Sequence, residues 1–492
     1  MSNVINEQMP DQPKVASSKS QSAIPSIMNI KSLPVNQAQQ IDTDVLEPLV
    51  FSQEFARWEL LPKGFLHPNT KISIGFKQNA AVPRAFPFIN SGVHSVIRRA
   101  VLKTSAGRVI CETEDWNVLQ AGMSLFISNS ANKEREQYTT GRQINYEVLY
   151  NPDSFVTADR YGLSNNNDYS TTAQGELGIG LSVQNHLLLA NESTFQIALH
   201  DLFPFLKAGN QLPLYMLPNE RIQIEIFWEP DKLGNRAGQN ASGVDLGKIN
   251  AVWEIDQNKC KLIADYVFYD QSTMDRYASE NSNMTFTYID YRLSKQTLTR
   301  DGATDQPRNN VRNIGGQGRI VNKVMYAYEN PNDNAALTKT LTGRYTAQGM
   351  STDGTGVKPL SSNIFVNSEF VYPQNITNNS RQFHNLQETG GMVPFVSRQS
   401  YSGEGSGGLS AAAAGNFEGS DTAVNLTGNF FWQGFRLSGL NARVDSRGID
   451  LHTDAQMDDL AASTKKGYIQ RCWIEIVRYL TIQDGHLEVY YA

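Results

Sequence analysis

Apolar and polar residues alternate over much of the chain, and the alternation has a period of two. From Ile249 to Asp270, Ile249, Ala251, Trp253 and Ile255 share one side, while Asn250, Glu254 and Asp256 share the other, with only Val252 out of phase. That period marks a strand with one buried face. The polar residues Gln257, Asn258 and Lys259 then read as a turn, and Leu262 to Tyr269 as a second strand. The far end has the same form: Tyr468 to Leu480, a turn at Asp484-Gly485, and a short run from His486 to Tyr491. Two closing hairpins predict two consecutive all-β units, residues 51–270 and 271–492, behind an N-terminal arm over residues 1–50.

The remaining strands fill in this plan. In the first unit Ile72, Ile74 and Phe76 alternate with polar or small residues. Val93 to Thr104 and Arg108 to Glu112 flank Ser-Ala-Gly, which predicts a hairpin with Gly107 in the left-handed region. Asp115 stands as the N-cap of a short helix, with Trp116, Leu119 and Met123 near helical spacing. Phe195, Ile197 and Leu199 alternate, a helical turn is expected at His200 to Phe203, and Ile222, Ile224, Ile226 and Trp228 form another strand face. In the second unit strands are expected at Met284 to Tyr288, Ile320 to Tyr328, Ile364 to Tyr372, Phe430 to Leu440 and Ile449 to His452. Polar excursions at 128–192, 229–248, 330–360 and 374–427 separate them, and loops of that length usually have a task at a surface. Many strands, few helices and long insertions at one end predict two jelly-roll β-sandwiches with an extended arm.

Composition narrows the function. A chain of 492 residues exceeds what one core usually serves. With 43 Lys and Arg against 49 Asp and Glu, a net charge of −6 argues against a strongly basic nucleic-acid binder. The arm is Ser-, Gln-, Asn- and Pro-rich, and its Lys14, Lys19 and Lys31 are outnumbered by Glu7, Asp11, Asp42, Asp44 and Glu47. A genome-binding arm should be packed with basic residues, so this one points to a protein contact, with Ile24 to Ile30 as a short apolar patch. Cys111, Cys260 and Cys472 are widely spaced and read as buried, reduced thiols of a reducing compartment. The N-terminus lacks an apolar signal region, and no run of about 18 apolar residues occurs.

No catalytic, cofactor-binding or metal residue is assigned. The seven histidines have no ligand spacing, and HExxH, CxxC, Walker and GxSxG patterns are absent. The Gly clusters at 315–318 and 403–408 lack a strand–helix setting and read as turns. Glu112, Glu114 and Asp115, like Asp458 and Asp459, read as solvated turn acids or helix caps rather than a glycosidase pair. His200-Asp201 reads as a helix entry. The aromatics Phe383, Phe395, Tyr401, Phe417, Phe430, Phe431 and Trp432 lie in or beside the second excursion, where an isolated domain exposes them. They are therefore candidate contacts between copies, in an obligate assembly burying well over about 2,000 Å².

The order of these segments resembles the double jelly-roll major capsid proteins of virophages and polinton-like viruses, in the wider group of adenovirus hexons and giant-virus capsid proteins. The likeness is carried by Ser193 to Trp228, Ile249 to Asp270, Ile314 to Tyr328 and, most of all, Ser361 to Glu388. It implies three copies in a capsomer of pseudo-sixfold outline, upright sandwiches with loops at their upper ends, and an arm that ties neighbours together. It further implies penton and minor or cement proteins as partners, and a location in the virion of a double-stranded DNA virus. The sparsely basic arm departs from a genome-holding role. A carbohydrate-binding or carbohydrate-cleaving β-sandwich protein and a minor penton or spike component stand as the alternatives.

Overall fold

A computed structural model describes residues 39–78, 85–86, 92–127, 139–140, 194–207, 212–229, 236–237, 253–298, 307–329, 357–377, 381, 384–385, 388–389, 432–437, 443–457, 468–483 and 485–491. The first half carries β1 (Gln39–Leu46), β2 (Val50–Phe51), β3 (Phe55–Glu59), β4 (Phe65–Leu66), β5 (Lys71–Gln78), β6 (Ala85–Phe86), β7 (Ile97–Thr104) and β8 (Val109–Glu114). After helix α1 (Trp116–Ile127) come β9 (Thr194–Ala198), the short helices α2 (Leu199–Leu202) and α3 (Pro204–Lys207), β10 (Leu212–Pro213), β11 (Ile222–Trp228), β12 (Arg236–Ala237) and β13 (Trp253–Tyr269). Helix α4 (Gln271–Glu280) leads to β14 (Asn283–Leu298), β15 (Pro307–Gly315), β16 (Val321–Glu329), β17 (Val357–Val366), β18 (Glu369–Phe370), β19 (Trp432–Arg436), β20 (Ile449–Met457), β21 (Tyr468–Gln483) and β22 (His486–Tyr491).

Four main antiparallel sheets result. The first has the order β10-β4-β13-β5-β9 with β1 also on β13, and the second β2-β3-β11-β7-β8. The third has the order β14-β21-β16-β19 with β22 on β21, and the fourth β15-β20-β17-β18. Among the described residues no strand before Asp270 pairs with one after it. Period two explains the layers: Ile72, Ile74 and Phe76 of β5, and Ile222, Ile224, Ile226 and Trp228 of β11, are all buried in one core between the first two sheets. Val324, Tyr326, Ile364, Leu451, Ile474 and Ile476 fill a second core between the other two.

Several expectations change. Ile249–Asp270 holds no hairpin: β13 runs through Gln257-Asn258-Lys259, and its register on β5 jumps from Asp256 opposite Gly75 to Lys261 opposite Ser73. The polar residues bulge out of a continuing strand instead of reversing it. Gly75 admits the bulge, because a Cβ there would lie 2.3 Å from the Lys259 Cβ. The end of the expected arm is also a strand. β1 pairs with β13 over eight residues, from Gln39 opposite Tyr269 to Leu46 opposite Leu262. Gln271 to Glu280 is a helix whose N-cap is Asp270; its side chain accepts from Thr273 N–H at 3.2 Å. Met274 and Tyr277 turn its inner face into the first core. The Gly107 hairpin stands as expected, with φ of 87°.

Candidate functional site: the joint between the two sandwiches

β8 is the last strand of its sheet, with one edge on β7 and the other turned to the second sandwich. An edge strand presents N–H and C=O groups that need partners when buried. Here side chains of β14 and β21 supply them. Arg478 donates through Nη1 to the Ile110 carbonyl at 2.8 Å and through Nη2 to the Val109 carbonyl at 3.2 Å. The Tyr288 hydroxyl donates to the same Ile110 carbonyl at 2.6 Å. Asp290 Oδ1 accepts from the Glu112 N–H at 3.2 Å, and Trp473 Nε1 donates to the Glu114 carbonyl at 3.3 Å. Ile110, Glu112 and Glu114 alternate along the strand, as backbone groups pointing out of one edge must. A row of side chains thus takes the place of a neighbouring strand.

The centre of this row is an ion pair removed from water. Arg478 Nη1 lies 2.7 Å from Asp290 Oδ2, and the two side chains are 5% and 0% exposed. Arg292 Nη2 approaches Asp290 at 3.8 Å, and the Arg478 guanidinium sits over the rings of Tyr288 and Tyr491. Burial pushes the Asp290 carboxyl above its ordinary range, and Arg478 and Arg292 bring it only part of the way back. Burial likewise drives the Cys111 thiol well up; its Sγ lies 3.5 Å from Asp290 Oδ1. An inert thiol beside a paired carboxylate offers no nucleophile.

A second charged group closes the end of the row. Asp115 has φ of 49°, a left-handed position unusual for a residue with a side chain. This turn aims its carboxylate across the joint, 2.8 Å from Arg471 Nε and 2.7 Å from Lys295 Nζ. Burial raises its pKa, but the two cations outweigh that and hold the carboxyl below the usual range. Glu112 accepts from Arg99 Nε at 2.6 Å. These acids were expected as solvated turn acids or caps. Instead Glu112 and Asp115 are only 15% and 11% exposed at the side chain, because the second sandwich covers them.

Apolar contacts and the C-terminal hairpin finish the joint. Phe205 of α3 meets Tyr288 and Phe286 of β14 edge-on, at centroid distances of 5.1 and 6.0 Å. Leu480, Ile482 and Leu487 join the first core from the second sandwich. Arg108 donates to the Leu487 carbonyl, and His486 Nδ1 lies 3.3 Å from the buried Glu220. The joint is therefore one continuous packed surface, with a polar row inside it. No group of three or more His, Cys, Asp or Glu that could hold a metal ion occurs among the described residues. His200 Nε2 lies 3.5 Å from Asp201 and its Nδ1 3.1 Å from the Pro68 carbonyl, both within the first sandwich.

The candidate contact residues Phe383, Phe395, Tyr401, Phe417, Phe430 and Phe431 lie outside the described residues, as does the side chain of Trp432. The backbone of Trp432 opens β19 and pairs with Ala327 of β16. Arg478, Asp290, Tyr288 and Trp473 were not singled out from the sequence. Arg478, Asp290 and Tyr288 showed only as charged or polar-tipped residues on the inward phase of otherwise apolar strands, and Trp473 stands on the opposite phase, between Arg471 and Glu475.

No protein-family model and no curated protein matches the chain. Solved structures do. VP54 of PBCV-1, in a crystal structure fitted into a cryo-EM reconstruction of the virophage Sputnik, superposes with a TM-score of 0.53 at 13% identity, covering 94% of this chain and 99% of that one. A chain of the quasi-atomic PBCV-1 virus capsid gives 0.52 at 12% identity, with the same coverage. The fold is thus the double jelly roll, two sandwiches in one chain, as the order of segments predicted.

Proposed function

We propose that this chain is a major capsid protein, which self-assembles through homotrimeric, pseudo-hexameric capsomers into the icosahedral shell of a double-stranded DNA virus. The observation that carries the reading is the joint: two sandwiches held as one body by a buried polar row, in a chain similar along 94% of its length to a PBCV-1 capsid chain. A threefold cluster has a hexagonal outline only when each copy presents two similar lobes at a fixed angle, and rigid, repeated lobes are what closed symmetric assembly requires. In this reading the sandwiches divide between residues 270 and 271, penton and cement proteins are further partners, and no reaction is assigned to the chain. The β-sandwich carbohydrate reading gains no support from the described residues.

Native mass spectrometry of the purified full chain tests it. A species of three times the chain mass, persisting at micromolar concentration, is expected. A monomer at that concentration overturns the reading.

A further inference from the structure

β22 belongs to the second sandwich by pairing and to the first by packing. Its six residues lie on β21, from His486 opposite Gln483 to Tyr491 opposite Arg478. Yet Leu487 is fully buried in the first core, and Val489 packs against that core. The polar contacts at its start also reach across. His486 stands 3.3 Å from Glu220, Arg108 donates to the Leu487 carbonyl, and a Cβ on Gly485 would lie 3.3 Å from Pro218 Cδ.

Period two sets Leu487, Val489 and Tyr491 on one face of the strand. That face runs from the first core to the buried ion pair of the joint. The Tyr491 ring centroid lies 4.8 Å from the Arg478 guanidinium and 4.3 Å from that of Arg319, and its hydroxyl accepts from Arg292 Nη2 at 3.1 Å. His486, Glu488 and Tyr490, on the other face, are exposed. The hold on β22 is slight beside what it covers. One six-residue ladder and one fully buried aliphatic side chain anchor it, whereas β14 pairs with β21 along all of its 16 residues. Segments with few buried contacts open at a lower free energy than the cores beside them.

We propose that β22 is a releasable clasp on the joint, which peels from β21 as one unit while both sandwiches stay folded. Release draws Leu487 out of the first core and Tyr491 off Arg478, and so admits water to the Arg478–Asp290 pair and to the edge of β8. Exposing the joint then requires freeing one short strand and not unfolding a lobe. With the clasp closed, the two lobes are one body. With it open, only β8, β14 and β21 join them, along a wetted row. The inference concerns the joint alone and holds whether or not the chain builds a shell.

Native-state hydrogen exchange on the full chain, resolved to single amides, tests it. The Glu112 N–H, which donates to Asp290 Oδ1, reports the seal. Ile224 and Ile474, in strands with a neighbour on either side, report the two lobes. In the wild type, Glu112 and the β22 amides bonded to β21 should share one protection factor, about tenfold or more below those of Ile224 and Ile474. Tyr491→Ala should lower the protection of β22 and Glu112 together, by about three- to tenfold, for the loss of one hydrogen bond and the ring contacts. Glu112 protected as fully as Ile224, or well above β22, overturns the inference, since the joint would then open only with a lobe. Faster exchange of β22 in the variant with Glu112 unchanged overturns it too. Unchanged exchange at both does the same, because Tyr491 would then hold nothing shut.

Discussion

The two long edges of the first sandwich meet opposite fates. β8 ends its sheet against Arg478, Tyr288, Asp290 and Trp473, which occupy its outward carbonyl and N–H groups. β1 ends the other sheet with an aliphatic row in solvent and, among the described residues, no strand beyond it. An edge closed from within the chain is part of folding, and its partners are polar because backbone groups have to be satisfied. At β1 the described residues supply no such partners. Substitutions at the two edges should therefore differ in how much stability they remove, much at β8 and little at β1.

The largest effect is expected at the centre of the joint. Arg478→Met leaves the buried Asp290 with only the more distant Arg292, at 3.8 Å, as counter-charge and orphans the Val109 carbonyl. Its cost should be on the order of 3–5 kcal/mol in chemical denaturation. A loss below about 1 kcal/mol would mean that water reaches the pair and that β8 is not sealed. Next comes Trp473→Phe, which leaves the Glu114 carbonyl without the indole donor and should cost about 1–3 kcal/mol. Tyr288→Phe should cost about 1 kcal/mol, because Arg478 still serves the Ile110 carbonyl.

Acid sharpens the same contrast. The Asp115 carboxyl titrates lower folded than unfolded, so its contribution is complete above the ordinary carboxylate pKa of about 3.9 and is lost as pH falls through the folded value. Asp290 has the opposite sign, since a carboxyl raised by burial is relieved by protonation. Denaturation midpoints of the wild type and Asp115→Asn should therefore converge as pH drops below about 4, and a constant difference would show that Arg471 and Lys295 do not act through charge. The smallest effect belongs to the open edge. Ile41→Thr should change the stability of the chain by no more than about 0.5 kcal/mol, and a larger loss would place Ile41 in the chain's own packing.

Much of the fold was legible because strands buried on one face announce themselves by alternation, as in β5, β11 and β21. The failures have physical causes. β1 hid in a polar stretch because its phase is inverted, with aspartates inward and aliphatics outward. β15, rich in Arg and Asn, carries too few apolar residues to show a face. The polar triplet Gln257-Asn258-Lys259 imitated a turn, because a bulge and a turn draw on the same residue types; Gly75, the residue that distinguishes them here, sits on another strand. The joint was not legible at all. Arg478 meets Asp290 across 188 positions and Ile110 across 368, and no local pattern links charged residues over such separations.

Cryo-EM of particles assembled from the purified full chain tests the central claim most directly. The account predicts closed shells of six-lobed capsomers, three chains to each, with both lobes of a chain joined along β8. Capsomers with one lobe per chain, or two lobes whose relative angle varies from copy to copy, would contradict it.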